Sequence, residues 1–269
     1  MDKQILYTAI LAAVKGGEKI LSVYEDPNAD FQIERKADNS PLTIADRLSH
    51  DIILKILSQT PYRTISEEGE QIAYEERQTW NQLWLVDPLD GTKEFLKRNG
   101  EFTVNIAFIN NGLPDAGVIY IPVKHELYFG ELEMGAYKMK GIEDISEMSD
   151  MDTLLAKAQR LPLKEKHERF TIVASRSHLN KETAKYIEKM QKLHNDVDIV
   201  SKGSSLKLCL IAEGVADVYP RFAPTMEWDT AAGHAIVRAA GKNVYQAEHL
   251  GCPLMYNKKN LLNPWFISE

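Results

Sequence analysis

The 269-residue chain has few of the features that mark membrane, secreted or nucleic-acid-binding proteins. No apolar run approaches the roughly 20 residues that a membrane-spanning helix needs. The residues from Met1 to Gln4 form neither the basic nor the apolar part of a secretory signal, so we expect a cytoplasmic location. The formal net charge of −7 disfavours binding to a nucleic-acid backbone, which usually requires an excess of basic residues.

Cysteine is also scarce. Cys209 and Cys252 are too few for a disulfide framework in a chain of this length, and neither belongs to a Cys-x-x-Cys pair of the kind that binds metals. We expect both to be unreactive thiols. The chain is long enough to form one large domain or two modest domains that share an interface.

Hydrophobic spacing differs between the two halves of the chain. Residues 2–23 have apolar side chains at helical intervals, and four strand-like runs between residues 103 and 139 are typical of an antiparallel meander. From residue 170 onward, strands alternate with helices, which predicts an α/β layer. We therefore predict an α+β half over residues 1–160 and an α/β half over residues 161–269.

The segment LVDPLDGTKEF, residues 85–95, is the first candidate site. Its apolar run predicts a buried strand that ends at Asp87, and the carboxyl ends of strands are where α/β sheets place ligand sites. Pro88 interrupts the strand ladder and Gly91 permits a tight turn. We expect Thr92 to cap the next helix, whose first N–H groups would then favour an anion.

Asp87 and Asp90 would repel each other without a cation between them. Mg²⁺ prefers carboxylate, phosphate and water oxygens, so a magnesium site is one explanation; a turn with a helix cap is the other. Phosphatases with an aspartyl nucleophile carry Asp-x-Asp-Gly-Thr, in which the acids point to the same side of a strand. The spacing here is Asp-x-x-Asp-Gly-Thr, which favours metal ligation over covalent catalysis.

Further acids follow the same pattern. Glu67 and Glu68 come directly after a short strand-like run, Asp229 begins a predicted helix, and Asp46 lies on an amphipathic helix. Taken singly, they are typical of a solvated turn, a helix N-cap and an exposed helix acid. Taken together with the two aspartates above, these acids can supply the oxygen ligands of two or three cations.

The combined motifs resemble a known superfamily, the lithium-sensitive, Mg²⁺-dependent phosphatases related to inositol monophosphatase. Three motifs carry this resemblance: ISEE (65–68), DPLDGTKEF (87–95) and WDTAAGHAI (228–236). Five more resemble its 3′(2′),5′-bisphosphate nucleotidase branch: KADNSPLTIAD (36–46), DGTKEFLKRNGEFTVNIA (90–107), SRSH (175–178), GSSLKLCLIAEG (203–214) and YPRF (219–222). The resemblance implies a layered α-β-α-β-α sandwich, of the type that fructose-1,6-bisphosphatase also has, and often a homodimer.

The resemblance also implies residue roles. The implied ligands of two or three Mg²⁺ ions are Glu67, Asp87, the Leu89 carbonyl, Asp90 and Asp229. Thr92 and Asp46 match the pair that polarises the attacking water. The implied substrate contacts are Glu67, Leu89, Asp90, Gly91, Thr92, His178, Ser204, Lys207, Arg221 and Asp229. Without the resemblance, Lys207 is typical of a solvated helix lysine, Arg221 of a loop cation and His178 of a residue that begins a helix.

The activity implied is hydrolysis of the 3′-phosphate of adenosine 3′,5′-bisphosphate (PAP), with its sulfated form PAPS as another substrate. Inositol monophosphate and fructose 1,6-bisphosphate are the alternative substrates. A sensor that binds nucleotide or metal without turnover is disfavoured, because both Thr92 and Asp46 are present. Lys36 precedes the ADNSP segment, and a lysine there would provide a counter-charge to the nearby acids.

Overall fold

The computed structural model of the protein describes residues 1–36, 40–145, 148, 150–163, 169–174, 180–194 and 196–269. Its helices and strands follow one another in this order: α1 (Lys3–Tyr24), β1 (Glu34–Arg35), β2 (Pro41–Leu42), α2 (Ile44–Leu57), β3 (Arg63–Ser66), α3 (Tyr74–Arg77), β4 (Gln82–Asp90), α4 (Thr92–Leu96), β5 (Thr103–Asn110), β6 (Leu113–Ile121), the 3-10 helix η1 (Pro122–Lys124), β7 (Glu126–Glu131), β8 (Gly135–Lys140), α5 (Met151–Lys157), β9 (Gln159–Arg160), β10 (Phe170–Ala174), α6 (Lys181–Leu193), β11 (Val197–Ser201), α7 (Leu206–Ala212), β12 (Tyr219–Arg221), α8 (Glu227–Ala239), β13 (Val244–Gln246), β14 (His249–Pro253) and β15 (Phe266–Ser268).

A seven-stranded sheet, from β3 to β9 in chain order, forms the centre of the fold. Strand β5 illustrates why both of its faces are covered, because its side chains alternate between two cores. Val104, Ile106 and Phe108 pack with α1 and α2, whereas Ala107 and Ile109 pack with α7 and α8 on the opposite face. The sheet is therefore enclosed between two helical layers.

A second layer of strands lies beyond α7 and α8. It consists of the parallel pair β10–β11 and a four-stranded antiparallel sheet in the order β12-β15-β13-β14. Helix α6 covers this layer through a third hydrophobic cluster that includes Ile172, Ile187 and Val218. The five layers confirm the predicted α-β-α-β-α sandwich.

The second half is less regular than the expected alternation of strands and helices. Among the described residues of this half, only β10 and β11, with a parallel bridge from Ile172 to Val218, follow the parallel pattern. The sequence did not predict β13, β14 or β15, because these strands are short and a turn or an irregular segment separates each from the next. The division into halves at residue 160 stays a prediction.

Helix α8 lies directly on the central sheet at Gly117 of β6. A Cβ atom added at Gly117 would lie 2.3 Å from the carbonyl oxygen of Ala232 and 2.8 Å from Cβ of Ala235. Only glycine permits this approach, which sets the depth at which α8 sits and so places its first turn at the sheet edge. Among the described residues, no helix combines the length and apolar character needed to cross a membrane.

Candidate functional site

The site forms where strands β3 and β4 carry acids at the same sheet edge. These strands are parallel, with Ser66 opposite Val86, so the next residues along the two strands, Glu67 and Asp87, are neighbours. The backbone N–H of Glu67 donates to the carbonyl of Val86 at 3.1 Å, which places Glu67 beside Asp87. The first turn of α8 adds Asp229. One ligand oxygen from each of these three carboxylates lies within 4.8 Å of those of the other two.

Strand β4 does not end at Asp87, contrary to the expected turn. It continues to Asp90 through an irregularity that shifts the register against β5. Within this irregularity, Asp87 Oδ1 accepts the N–H of Leu89 at 3.1 Å, and Ser49 donates to the carbonyl of Pro88 at 2.8 Å. Bulges of this kind redirect side chains next to functional sites. Here the bulge separates two acids that otherwise lie on one strand.

Gly91, and not Thr92, holds the N-cap position of α4. Gly91 has a φ of 96°, in the left-handed region that favours glycine, and Thr92 is the first helical residue. Phe95 anchors this short helix, because it is buried and its ring contacts those of Tyr24 and Phe31. The aromatic contacts give Phe95 a structural role that the sequence did not reveal.

Asp46 is buried, with 1% of its surface exposed, so its interpretation as an exposed helix acid is wrong. Its Oδ2 accepts the N–H of Thr43 at 2.8 Å and the Thr43 hydroxyl at 2.6 Å. Its Oδ1 accepts the Thr92 hydroxyl at 3.2 Å. Burial raises the pKa of Asp46 to about 6, although the hydrogen bonds from Thr43 oppose this shift. The structure thus joins Asp46 and Thr92, the two residues of the pair that the resemblance implies, by a hydrogen bond.

The clustered carboxylates are electrostatically strained without a cation. Burial, followed by repulsion from neighbouring acids, raises the pKa values of Asp87 and Asp229 well above the ordinary range. Burial also raises the pKa of Glu67. A divalent ion would neutralise this charge, and the donors are the oxygen ligands that Mg²⁺ takes. The residues present therefore fit the metal that the sequence motifs imply.

Lys36 contacts the outer side of this cluster. Its Nζ lies 2.7 Å from Glu67 Oε1 and also donates to Glu68. Burial alone would lower the pKa of Lys36, but the two carboxylates raise it above its ordinary value. Lys36 is therefore a protonated counter-charge at the edge of the candidate metal site.

A cavity of about 350 Å³ opens beside the cluster. Its lining includes six of the predicted site residues: Asp90, Gly91, Ser204, Lys207, Arg221 and Asp229. Glu67 instead lines a neighbouring cavity of about 470 Å³ together with Trp228. His178 and the rest of the SRSH motif lie outside the described residues, so the structure does not place them.

Lys207 is buried, with 6% of its surface exposed, so it is not a solvated helix lysine. Its ammonium donates to the carbonyls of Ser204 at 2.6 Å and Lys202 at 3.2 Å, and lies 5.6 Å from the centre of the Tyr219 ring. Burial lowers the pKa of Lys207 to about 8, although nearby acids, with Asp90 the largest, oppose this shift. These two hydrogen bonds from Lys207 stabilise the turn at residues 202–205.

Arg221 offers unfilled hydrogen-bonding capacity on the same wall of the cavity. One terminal nitrogen donates to the carbonyl of Pro224 at 3.1 Å. Its Nε is buried and has no hydrogen-bond partner among the described residues. A buried donor without a partner is costly, so a ligand with acceptor oxygens would stabilise this arginine.

Sequence reasoning missed Thr103, Asn105 and Ser205, which form hydrogen bonds between the site and the 203–205 turn. For two of these residues, the sequence does contain a signal that could have identified them. Thr103 and Asn105 are polar residues two apart in the apolar run TVNIAFI, so they share one face of a buried strand. Polar residues buried in this way need partners, which the sequence alone does not identify.

Comparisons with known proteins agree with this fold. The 3′(2′),5′-bisphosphate nucleotidase CysQ of Escherichia coli (strain K12) is 43% identical over 257 residues, covering 94% of this chain and 95% of that protein. The CysQ protein of Salmonella typhimurium is 44% identical over the same length. CysQ from Bacteroides thetaiotaomicron, a bacterial member of the inositol monophosphatase family with a known crystal structure, is 58% identical in sequence. It superposes with a TM-score of 0.93, covering 100% of this chain and 97% of that one.

The family assignment rests on nearly the whole sequence. Residues 1–264 match the model of the inositol monophosphatase family. The solved SuhB structure from Bartonella henselae, at 26% identity and a TM-score of 0.72, shares the architecture over 97% of this chain. Together with the layered sandwich, these matches establish that the chain belongs to the inositol monophosphatase family.

Proposed function

We propose that this chain is a Mg²⁺-dependent phosphatase that hydrolyses the 3′-phosphate of PAP to give AMP and phosphate. The observation that carries the proposal is the convergence of three carboxylates beside a cavity lined by two buried basic side chains, Lys207 and Arg221. The relatives named 3′(2′),5′-bisphosphate nucleotidase CysQ support the same activity. We propose PAPS as a further substrate, which would place the enzyme in sulfur assimilation and PAP recycling.

Members of the family use metal ions, generally Mg²⁺. In this chain, two or three ions would be held by Glu67, Asp87, the Leu89 carbonyl, Asp90 and Asp229. When bound, Mg²⁺ neutralises phosphate charge, makes water more acidic and stabilises the leaving oxygen.

Thr92 and Asp46 would orient the attacking water. The Thr92 hydroxyl donates its proton to Asp46 Oδ1, so the lone pairs of Thr92 Oγ1 remain available to accept a hydrogen bond from water. Thr43 holds the other carboxylate oxygen, which keeps Asp46 in one orientation. The oxygen of the water would join phosphorus as the bond from phosphorus to the 3′-oxygen breaks. One proton of the water would stay on the phosphate product, and the other would balance the proton taken up by the 3′-oxygen.

The cations of the cavity would bind the second phosphate of the nucleotide. Arg221 has a buried Nε that needs an acceptor, and its planar guanidinium suits two phosphate oxygens at once. Lys207 would add positive charge, and the N–H groups of Gly91 and Thr92 would hold oxygens of the reacting phosphate. Ser204 as a nucleotide contact and His178 as a contact of the adenine stay predictions.

Phosphate release from PAP, inositol monophosphate and fructose 1,6-bisphosphate, each with Mg²⁺ or with EDTA, tests the proposal. We expect PAP to be preferred, no release in EDTA, and no release by Asp90→Ala. Arg221→Ala should lower kcat/KM for PAP by about 10- to 100-fold, as expected for a lost charge-assisted hydrogen bond, and should affect inositol monophosphate less. Arg63→Ala, which removes an exposed arginine, is the matched control and should behave as wild type.

Two results would overturn the assignment. Mg²⁺-independent release by both wild type and Asp90→Ala would refute the metal site, and preference for inositol monophosphate would refute the substrate. Binding of PAP without measurable turnover would favour a sensor. The cytoplasmic location and the homodimer stay predictions, which cell fractionation and analytical ultracentrifugation would test.

A further inference from the structure

Two buried polar residues of β5, Thr103 and Asn105, connect the candidate metal site to the turn at residues 203–205. Both are buried, and they alternate onto the same strand face as Ala107 and Ile109, which pack against α7 and α8. The Thr103 hydroxyl lies 2.9 Å from Asn105 Oδ1, 2.7 Å from Ser204 Oγ and 2.8 Å from Ser205 Oγ. Thr103 thus joins β5 to the turn at residues 203–205.

The hydrogen-bond pattern determines how the Asn105 amide is oriented. Its Oδ1 accepts the Ser205 hydroxyl at 2.8 Å, and Ser204 donates its own proton to Asp90, so the Thr103 hydroxyl donates to Ser204 Oγ. The Nδ2 of Asn105 therefore faces Asp90 Oδ2, at 3.3 Å. The reversed amide would place its oxygen against a carboxylate, with no proton between them.

Asp90 Oδ2 receives a second hydrogen bond from the other half of the chain. Ser204 Oγ donates to it at 2.6 Å, as a charge-assisted bond. Ser204 has a φ of 47°, which a residue with a side chain rarely adopts, so its turn requires external support. The Lys207 ammonium donates to the Ser204 carbonyl, and Glu101 Oε2 accepts the N–H of Gly203 at 2.9 Å. Both hydrogen bonds stabilise the turn.

We propose that Thr103 and Asn105 are positioning residues, which hold Asp90 in one orientation for a metal ion and fasten the 203–205 turn of the nucleotide cavity to it. The inference rests on the proposed function, because it assigns Asp90 to the metal. Its physical basis is that Asp90 lies among other acids that repel it, so a freely rotating carboxylate would turn away from them. Hydrogen-bonded partners of metal ligands typically contribute 10- to 100-fold to metal affinity.

The test measures Mg²⁺ binding to the nucleotide-free protein by isothermal titration calorimetry. Thr103→Val keeps the side-chain shape and removes the hydroxyl, whereas Thr103→Ser keeps the hydroxyl. We expect Thr103→Val to bind Mg²⁺ about 10- to 100-fold more weakly than wild type, and Thr103→Ser to bind within about threefold of wild type. Ser204→Ala, at a partly exposed position, removes one donor to Asp90 without altering the core and should also weaken Mg²⁺ binding.

Thr183→Val is the matched control. Thr183 is also buried, and its hydroxyl donates to the side-chain oxygen of Asn180 at 2.7 Å at the start of α6. It should keep the Mg²⁺ affinity of wild type. Equal affinities for Thr103→Val and Thr183→Val would overturn the inference, as would equal losses for Thr103→Val and Thr103→Ser.

Failure of this inference can be distinguished from failure of the proposed function. Wild type that binds Mg²⁺ and hydrolyses PAP, with Thr103→Val and Ser204→Ala unchanged in Mg²⁺ affinity, would refute the positioning role alone. Wild type that binds Mg²⁺ without hydrolysing PAP would refute the function, while the calorimetry would still decide the role of Thr103. Wild type that does not bind Mg²⁺ would overturn both.

Discussion

Replacing Lys36 with methionine should destabilise the protein only when Mg²⁺ is absent. The ammonium of Lys36 lies between Glu67 and Glu68 and is the counter-charge on that side of the acidic cluster. Methionine keeps most of the aliphatic stem and removes the charge. Without Mg²⁺, the change leaves the two carboxylates of Glu67 and Glu68 without their ammonium partner. With Mg²⁺ bound at Glu67, the metal takes over that role, and an ammonium beside it becomes unfavourable.

The size of the effect follows from the burial of the pair. Removing one partner of a fully buried ion pair costs about 3–5 kcal/mol, whereas exposed pairs contribute about 0–1 kcal/mol. The side chains of Lys36 and Glu67 are 21% and 25% exposed, so an intermediate loss of about 1–2 kcal/mol is expected. For a chain of this size, that corresponds to a Tm lower by about 2–8 °C. By linkage, Mg²⁺ should half-saturate Lys36→Met at a concentration about 5- to 30-fold lower than it does wild type.

Thermal unfolding in EDTA and across a Mg²⁺ titration measures both quantities. Lys140→Met is the control, because Lys140 makes a more exposed contact of 3.7 Å with Glu126 and should change Tm little in either condition. Equal destabilisation of Lys36→Met in EDTA and in saturating Mg²⁺ would refute the reasoning, since Lys36 would then not substitute for the cation. The reasoning would also be refuted if Lys36→Met and wild type were half-saturated at the same Mg²⁺ concentration.

Three further outcomes test the fold around the site. Burial lowers the pKa of His234 from 6.5 to about 3, so below about pH 6.5 the unfolded chain binds a proton that the native protein does not. The contribution of His234 to stability is therefore fully present above about pH 6.5 and is lost as the pH falls toward 3. Urea unfolding should therefore show that His234→Gln lessens the stability loss between pH 7 and pH 5 by about 2 kcal/mol, and an unchanged loss would contradict the lowered pKa. Gly117→Ala should lower the free energy of unfolding by about 1–3 kcal/mol or more, since its Cβ collides with α8; wild-type stability would show that the helix does not sit as described. Phe95→Ala should cost about 3–5 kcal/mol in urea unfolding through its lost aromatic contacts, and a loss below 1 kcal/mol would mean that α4 is anchored by other residues.

Long periodic segments were predictable from the sequence, because their pattern repeats over several turns or alternations. The first helix, expected over residues 2–23, is α1 (Lys3–Tyr24), and the four strands expected between residues 103 and 139 are β5 to β8. The last three strands were not predictable, because each has only three to five residues, and β15 pairs with the distant strand β12. A short strand is defined by its pairing and carries little pattern of its own.

The sequence by itself determined which chemical groups are present. The acids at positions 67, 87, 90 and 229 are numerous enough for an oxygen-ligand metal site, because such a site requires several carboxylates. The resemblance of their motifs to the inositol monophosphatase family, and not their spacing alone, indicated a metal-dependent phosphatase. The pairing of Thr92 with Asp46 was likewise expected from the motifs that contain them.

Only the tertiary structure decided how these residues act on one another. Asp46 and Lys207 look like surface residues in the sequence, and burial against other elements changes the pKa of each. The hydrogen bond from Ser204 to Asp90 joins residues more than a hundred positions apart, and Thr103 and Asn105 acquire partners only when β5 meets the 203–205 turn. Burial and long-range hydrogen bonds depend on the packing of distant segments, which no local pattern of residues encodes.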